Sequence, residues 1–183
     1  MKIMNRLLQA TLFAATNHAD QRRKNSAASP YINHPIEVAE HLNRVGKIDD
    51  TEILIAALLH DTIEDTTTTS DEIRELFGKT VVDLVLECTD DKSLEKAERK
   101  RLQIVNAPRK SSGAKQIKIA DKTCNLKSLL VDPPQGWSIS RQLEYFEWAQ
   151  QVYSGLKGVN ELRDAEIEQV FATGLELLTE IAE

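Results

Sequence analysis

Residues 50–65 read DTEILIAALLHDTIED, and this segment joins the longest apolar run of the chain to a strongly polar end. From Ile53 to Leu59 every residue is apolar, so a helix here is apolar on all sides, which is typical of a helix buried at the centre of a bundle. The pattern predicts a helix from about Asp50 to Asp61 or beyond. Its polar C-terminal end is unusual for a buried helix.

The polar end carries one imidazole and three carboxylates: His60, Asp61, Glu64 and Asp65. At about 100° per residue, a helix that continues through them places all four within about 140° of arc, on one side of the helix. The alternative is an exposed helix end with solvated acids, but acids at a C-terminus oppose the helix dipole. Because clustered carboxylates at a buried helix end repel one another, a bound cation is the favoured explanation.

Outside this segment the apolar residues also recur with helical spacing, and the few glycines and prolines fall between the periodic stretches. Thr69 and Glu72 form a capping-box signature, and Gly78 ends the helix that it opens. Further helices are predicted up to about residue 18 and over residues 35–46, 70–77, 81–86, 93–107, 114–130, 138–157 and 160–182. The prediction is an all-α fold, a bundle of about eight or more helices.

Length and charge limit the possible functions. With 183 residues and about 150 residues per domain, residues 1–183 are expected to form a single domain. The net charge of −6 argues against non-specific binding to nucleic acid or to a membrane surface. A polyanionic ligand therefore needs a bound cation or a local basic patch, and Arg22, Arg23 and Lys24 supply such a patch.

Other features suggest a cytoplasmic protein. No apolar run approaches the roughly 20 residues that cross a bilayer, and the first residues lack the pattern of a secretory leader. Cys88 and Cys124 are not arranged as a disulfide framework, so we expect buried, reduced thiols. Tyr145, Trp148 and Tyr153 recur at helical spacing and are interpreted as core residues, and the charge-rich helix over 93–107 is interpreted as solvated.

His34 and Asp121 complete a possible ligand set. Taken alone, His34 is more often a hydrogen-bonded structural histidine, and Asp121 between two lysines is more often part of an ion pair. Together with His60 and Asp61, they form a set of two imidazoles and two carboxylates without thiolates, which suits a six-coordinate divalent ion. Manganese is the first choice.

Four segments in order resemble one protein family. They read QRRK at 21–24, YINHP at 31–35, HDTIEDT at 60–66 and KIADK at 118–122, the last followed by Asn125. They resemble the HD-domain hydrolase module of RelA/SpoT proteins, and the chain is most similar to the single-domain small alarmone hydrolases, in which EYFEW at 144–148 also has a counterpart. The resemblance covers nearly the whole chain.

The resemblance implies manganese-dependent hydrolysis of the 3′-pyrophosphate of guanosine tetra- and pentaphosphate to GDP or GTP, with a guanine nucleotide as the small-molecule partner. It implies the metal ligands His34, His60, Asp61 and Asp121. It implies Glu64 and Asp65 as the catalytic carboxylates. It implies nucleotide contacts from Arg23, Lys24, Tyr31 and Asn125. The four-residue spacing of Asp121 and Asn125 independently places these two on one helix face.

Two alternatives stay open at this point. One is an HD phosphohydrolase that acts on another nucleotide with a ribose 2′- or 3′-phosphate, such as NADPH. The other is a non-catalytic nucleotide sensor, which an intact carboxylate pair beside a full ligand set disfavours. We expect neither a synthetase domain nor a regulatory domain in 183 residues, and the sequence makes no prediction of the oligomeric state.

Overall fold

The computed structural model describes residues 2–182, which fold into α-helices and short connections without a β-sheet. The all-α prediction is confirmed. The helices are α1 (Lys2–Asn17), α2 (Asn33–Arg44), α3 (Thr51–Leu59), α4 (Thr62–Asp65), α5 (Ser70–Phe77), α6 (Lys79–Cys88), α7 (Lys96–Asn106), α8 (Ser112–Val131), α9 (Ile139–Leu156) and α10 (Glu161–Ala182), with a 3-10 turn at Ala107–Arg109. Within residues 2–182, no helix has both the length and the apolar character that crossing a bilayer requires.

Helix α3 lies at the centre of the first core. Its side chains from Leu54 to Leu59 are all buried, and it packs against α1, α2, α6 and α8. Asp50 caps its N-terminus by accepting the backbone N–H of Glu52 at 2.8 Å. The predicted buried central helix is therefore present.

The predicted continuation of this helix past Asp61 is wrong. Helix α3 ends at Leu59, Asp61 has φ −102° and ψ −3°, and a separate one-turn helix, α4, follows. The end is stabilised locally, because the hydroxyl of Thr62 donates to the carbonyl of Leu59 at 2.7 Å. The predicted placement of all four polar side chains on one side of a single helix consequently does not apply.

Helix α8 separates two hydrophobic cores. Ala114, Ile117 and Ala120 face the first core around α3, whereas Leu126 and Leu129 face a second core formed with α9 and α10. A helix covered on both sides buries its polar residues as well, and this explains how an aspartate comes to lie inside the protein.

The remaining local predictions are largely confirmed. Thr69 and Glu72 form the reciprocal capping box of α5, and Cys88 and Cys124 are buried free thiols. The charge-rich helix begins at Lys96, three residues later than predicted.

Candidate functional site

Three ligand atoms from three helices converge near the centre of the protein. His34 comes from the first turn of α2, His60 from the end of α3 and Asp121 from the middle of α8, and one atom of each lies within 4.8 Å of the others. The Nε2 atom of His34 is 3.2 Å from Oδ1 of Asp121, and that of His60 is 4.0 Å from the same oxygen. The structure thus brings three predicted metal ligands together.

Asp61 borders the same cluster. Its Oδ2 atom lies 3.0 Å from Nε2 of His60 and 4.0 Å from Nε2 of His34. The hydroxyl of Tyr31 donates to this oxygen at 2.6 Å. Burial raises the pKa of Tyr31, and the Asp61 carboxylate raises it further, so the phenol keeps its proton and holds the carboxylate in place.

The donor set fits a divalent cation. His60 is buried, and its Nδ1 lies 2.8 Å from the carbonyl of Ala57. Because a carbonyl only accepts, Nδ1 keeps its proton, and Nε2 presents a lone pair to the cluster once the ring has lost its other proton. This Nε2 atom is buried, and although it lies 3.0 Å from Oδ2 of Asp61, it makes no well-oriented hydrogen bond within the described part of the chain. An unpaired ring nitrogen facing two carboxylates is the arrangement that a metal ion completes.

Neighbouring opposite charges shift the pKa of each acid or base in the cluster toward its charged form, against the effect of burial. Burial alone raises the pKa of Asp61, but His60 outweighs it and the pKa is lowered well below its usual range. The pKa of Asp121 is also lowered against burial, chiefly by Lys122 and His34. Burial lowers the pKa of His60, yet Asp61 and Asp121 raise it to about 9. The carboxylates are ionised, and a metal ion must displace a proton from this imidazole.

Glu64 and Asp65, the two predicted catalytic carboxylates, lie on α4 and border a cleft of about 910 Å³. Glu64 accepts the backbone N–H of Asp90 at 2.9 Å and lies 3.9 Å from Arg99, whereas Asp65 pairs with Lys92. Burial is the main cause of the raised pKa of Glu64. This carboxylate therefore accepts a proton more readily than an exposed glutamate does.

The four predicted nucleotide-binding residues line one cavity of about 210 Å³. They are Arg23, Lys24, Tyr31 and Asn125. Arg23 donates to the side-chain carbonyl of Asn125 at 3.0 Å, and the amide nitrogen of Asn125 donates to Asp121 at 2.6 Å. A hydrogen-bonded chain thus joins this cavity to the metal-ligand cluster.

Two aromatic residues interpreted as core pack against the second core and also line the site. Tyr145 borders both the cavity and the cleft, and Trp148 borders the cleft. Tyr153, the third of the set, is buried as predicted, with 4% of its surface exposed. The sequence does not show this second role, because the spacing of an aromatic stripe is the same whether or not one edge of it also lines a cleft.

The interpretation of α7 as a solvated helix is confirmed, since none of its residues is buried, but one of its faces also lines the cleft. Lys96, Arg99 and Lys100 all line the cleft, and their i, i+3, i+4 spacing places them on one face. Lys92 and Arg141 add two more cations. The sequence contains this signal, since three basic residues share a helix face. It does not show that α7 lines the same cleft as the two predicted catalytic carboxylates.

Comparisons with known proteins agree with this geometry. Residues 10–158 match the family model described as HD domain. The chain is similar to guanosine-3′,5′-bis(diphosphate) 3′-pyrophosphohydrolase MESH1 of Danio rerio, with 51% identity over 165 residues covering 90% of this chain and 92% of the relative. The Homo sapiens protein of the same name is 53% identical with the same coverage. A solved structure, described as a metazoan ortholog of SpoT that hydrolyses ppGpp and acts in starvation responses, is similar with a TM-score of 0.90 and 45% identity, covering 92% of this chain and 94% of that one.

Proposed function

This chain belongs to the HD domain family, and we propose that it removes the 3′-pyrophosphate from guanosine tetra- and pentaphosphate, giving GDP or GTP. One observation carries the proposal: ligand atoms of His34, His60 and Asp121 converge at the end of a hydrogen-bonded chain that starts in a basic, aromatic cavity. The activity named for relatives that share half of its residues supports the same reaction.

We propose that His34, His60, Asp61 and Asp121 hold one divalent ion, with manganese as the expected metal. Imidazole nitrogens and carboxylate oxygens without thiolates suit such an ion. When bound, the ion makes water a better nucleophile at neutral pH and offsets negative charge on the attacked phosphate. Tyr31 fixes one carboxylate of the set through its hydrogen bond to Asp61.

The proposed catalytic carboxylates move the proton. Glu64, whose pKa burial raises, accepts a proton from the attacking water, and Asp65 lies beside it on α4. The water oxygen bonds to the phosphorus attached to O3′ while the bond between phosphorus and O3′ breaks. The proton passes to O3′, so the products are a free 3′-hydroxyl and pyrophosphate.

Binding residues determine which phosphorus is attacked. Arg23 and Lys24 are proposed to bind the nucleotide, with Tyr31 nearby and Asn125 towards the ribose, since all four line the cavity next to the ligand cluster. The cations of the neighbouring cleft, Arg99 and Lys100 among them, suit the second diphosphate of the same substrate. Such a double anchorage holds the 3′ side near the metal ligands.

Hydrolysis in oxygen-18 water tests the reaction. Guanosine tetraphosphate with manganese should yield GDP and labelled pyrophosphate, because the phosphorus next to O3′ is attacked. GTP and GDP serve as matched controls and should survive, since neither carries a 3′ substituent. Release of inorganic phosphate or rapid cleavage of GTP contradicts the proposal.

A nucleotide panel addresses the alternative predicted from the sequence. NADPH belongs in the same assay, since its 2′-phosphate would give inorganic phosphate rather than pyrophosphate. Preference for it over guanosine tetraphosphate at equal concentration would replace the proposed substrate. The organisation of residues 1–183 as one hydrolase domain, and a cytoplasmic location, stay predictions.

A further inference from the structure

The two oxygens of Asp121 have different surroundings. Oδ1 accepts a hydrogen bond from Asn125 at 2.6 Å and lies 3.2 Å from the Nε2 atom of His34. Oδ2 instead faces two ammonium groups, that of Lys122 at 3.1 Å and that of Lys118 at 3.9 Å. One oxygen is thus turned toward the histidines, and the other is paired with cations.

Lys122 is an unusual partner for this oxygen. Neighbouring residues on a helix project about 100° apart, so its side chain has to bend back to reach the preceding aspartate. It is also buried, with 4% of its surface exposed, and a buried ammonium is costly unless it is paired. A contact from outside α8 is needed to explain this conformation.

Trp148 of α9 supplies that contact. The Nζ atom of Lys122 lies 4.8 Å from the centre of the Trp148 ring, within the range of a cation–π interaction. The ring itself is fixed from α7, because its Nε1 donates to the carbonyl of Lys100 at 3.1 Å and the Lys100 ammonium lies 4.7 Å from the ring centre. Three helices therefore determine where the Lys122 ammonium sits.

We propose that Lys122 and Trp148 are positioning residues of the metal site. Trp148 holds the Lys122 ammonium against Oδ2 of Asp121, and this orients the carboxylate so that Oδ1 alone points to the metal position between His34 and His60. The inference rests on the proposed function, because it assumes that these residues bind a divalent ion.

The direction in which Mn²⁺ affinity changes when Lys122 is replaced distinguishes an orienting role from a purely electrostatic one. Removing a positive charge beside a cation site favours cation binding by electrostatics alone. Losing the group that orients a ligand weakens binding, typically by about 10-fold to 100-fold for such outer contacts. Lys122→Met tests both at once, since it removes the charge and retains much of the side-chain volume.

The experiment measures manganese alone, without nucleotide. Free Mn²⁺ is quantified by electron paramagnetic resonance while metal-free protein is titrated, and the melting temperature of each metal-free variant is recorded. We expect Lys122→Met to raise the Kd for Mn²⁺ at least about 10-fold and Lys122→Arg to restore most of the affinity, because a guanidinium can both pair with the carboxylate and stack on the ring.

Trp148 variants test whether this ring holds the Lys122 ammonium in place, without altering the buried lysine itself. Trp148→Leu removes the aromatic face and should raise the Kd about 3-fold to 10-fold. Trp148→Phe loses the same hydrogen bond to Lys100 but keeps an aromatic face, so it should stay closer to wild type. Lys157→Met, an exposed lysine at the end of α9, makes the same charge change away from the site and should not alter the Kd.

The outcomes are distinguishable. Unchanged or tighter Mn²⁺ binding by Lys122→Met, or equal Kd values for Trp148→Leu and wild type, overturns the positioning roles while the metal site stands. A wild-type protein that binds no Mn²⁺ instead overturns the proposed function, and this inference with it. If Lys122→Met does not fold, the Kd values of Trp148→Leu and Trp148→Phe for Mn²⁺ decide whether the aromatic face has a positioning role.

Discussion

The Nε2 atom of His34 lies 3.2 Å from Oδ1 of Asp121, although 87 positions of the chain separate the two residues. Both side chains are buried, with 2% and 6% of their surfaces exposed. The contact depends on the packing of α2 against α8. A metal ion bound here therefore links distant parts of the fold, and its loss should affect both activity and stability.

The first prediction concerns the ligands. Asp61→Ala should abolish stoichiometric metal binding and nearly all hydrolysis, because the carboxylate borders the histidine pair and has no role in apolar packing. Elemental analysis of the purified variant measures the metal content. Asp71→Ala, which removes an exposed carboxylate on α5, is the control and should keep full metal. Wild-type turnover of Asp61→Ala would show that the site is wrongly assigned.

Metal-free protein gives a complementary expectation. Asp61 and Asp121 are two carboxylates in one buried cluster, and removing one relieves their repulsion when no cation is bound. The cost of losing the contact to His60 opposes this gain. A ligand that binds only the folded protein stabilises it. Added Mn²⁺ should therefore raise the melting temperature of the wild-type protein, but it should leave that of Asp61→Ala, which lacks a ligand, unchanged.

The second prediction separates binding from chemistry. Arg23→Ala should chiefly raise KM for guanosine tetraphosphate, since Arg23 lines the cavity and contacts Asn125. Glu64→Gln should chiefly lower kcat, by about 100-fold or more, while the metal stays bound. Steady-state kinetics with metal analysis distinguishes the two. Equal losses of kcat at unchanged KM in both variants would refute the separate roles.

Sequence patterns identified most helices because each is encoded locally. The capping box at Thr69 and the proline in the first turn of α2 involve neighbours within one turn, so spacing alone specifies them. The termination of α3 at Leu59 depends on the side chains of His60 and Thr62 capturing carbonyls. Either residue is also compatible with a continuing helix, and this is why periodicity missed the break.

The sequence predicts candidate ligands but not their arrangement. His34 and Asp121 are predicted because, with His60 and Asp61, they give two imidazoles and two carboxylates, and the fold brings His34, His60 and Asp121 together. The contact between Trp148 and Lys100 is not visible in the sequence, because it joins α7 to α9 and is tertiary. A lysine over an aromatic ring leaves no spacing signature when the two lie on different helices.

The third prediction concerns pH and stability. Burial and the neighbouring Arg163 lower the pKa of His41 from 6.5, although Glu166 opposes them, and Lys127 adds a further positive charge. As the pH falls below 6.5, the unfolded chain takes up a proton that the folded protein resists. The free energy of unfolding should therefore decrease between pH 6.5 and pH 5, by at most about 1.4 kcal/mol per pH unit for one proton.

Urea unfolding of metal-free protein at several pH values measures this dependence. His41→Gln cannot take up the proton, so its stability should change less over the same range. Groups that do not contact His41 should titrate equally in both proteins, so the difference between the two curves reports on His41 together with Glu166, whose carboxylate it contacts. Parallel curves would show that His41 does not contribute.

The last prediction concerns the packing that holds α9, and with it Tyr145 and Trp148, against α10. Gly174 lies against the ring of Phe146, which is fully buried, and an added Cβ would overlap that ring and approach Leu130 to 3.3 Å. Alanine is favoured over glycine in a helix by about 1 kcal/mol, but overpacking costs about 1–3 kcal/mol.

We expect Gly174→Ala to lower the free energy of unfolding, with the overpacking cost exceeding the helix-propensity gain. Phe146→Leu alone should also destabilise the protein, because it leaves unfilled space in the second core. Combined with Gly174→Ala, however, it removes the overlapping ring, so the double variant should lose less stability than the sum of the two single losses. Denaturant unfolding of all four proteins measures this coupling, and Glu176→Ala on the exposed face of α10 is a control with little expected effect. Strict additivity would show that Gly174 is not required by the ring, and that the close approach of α9 and α10 has another cause.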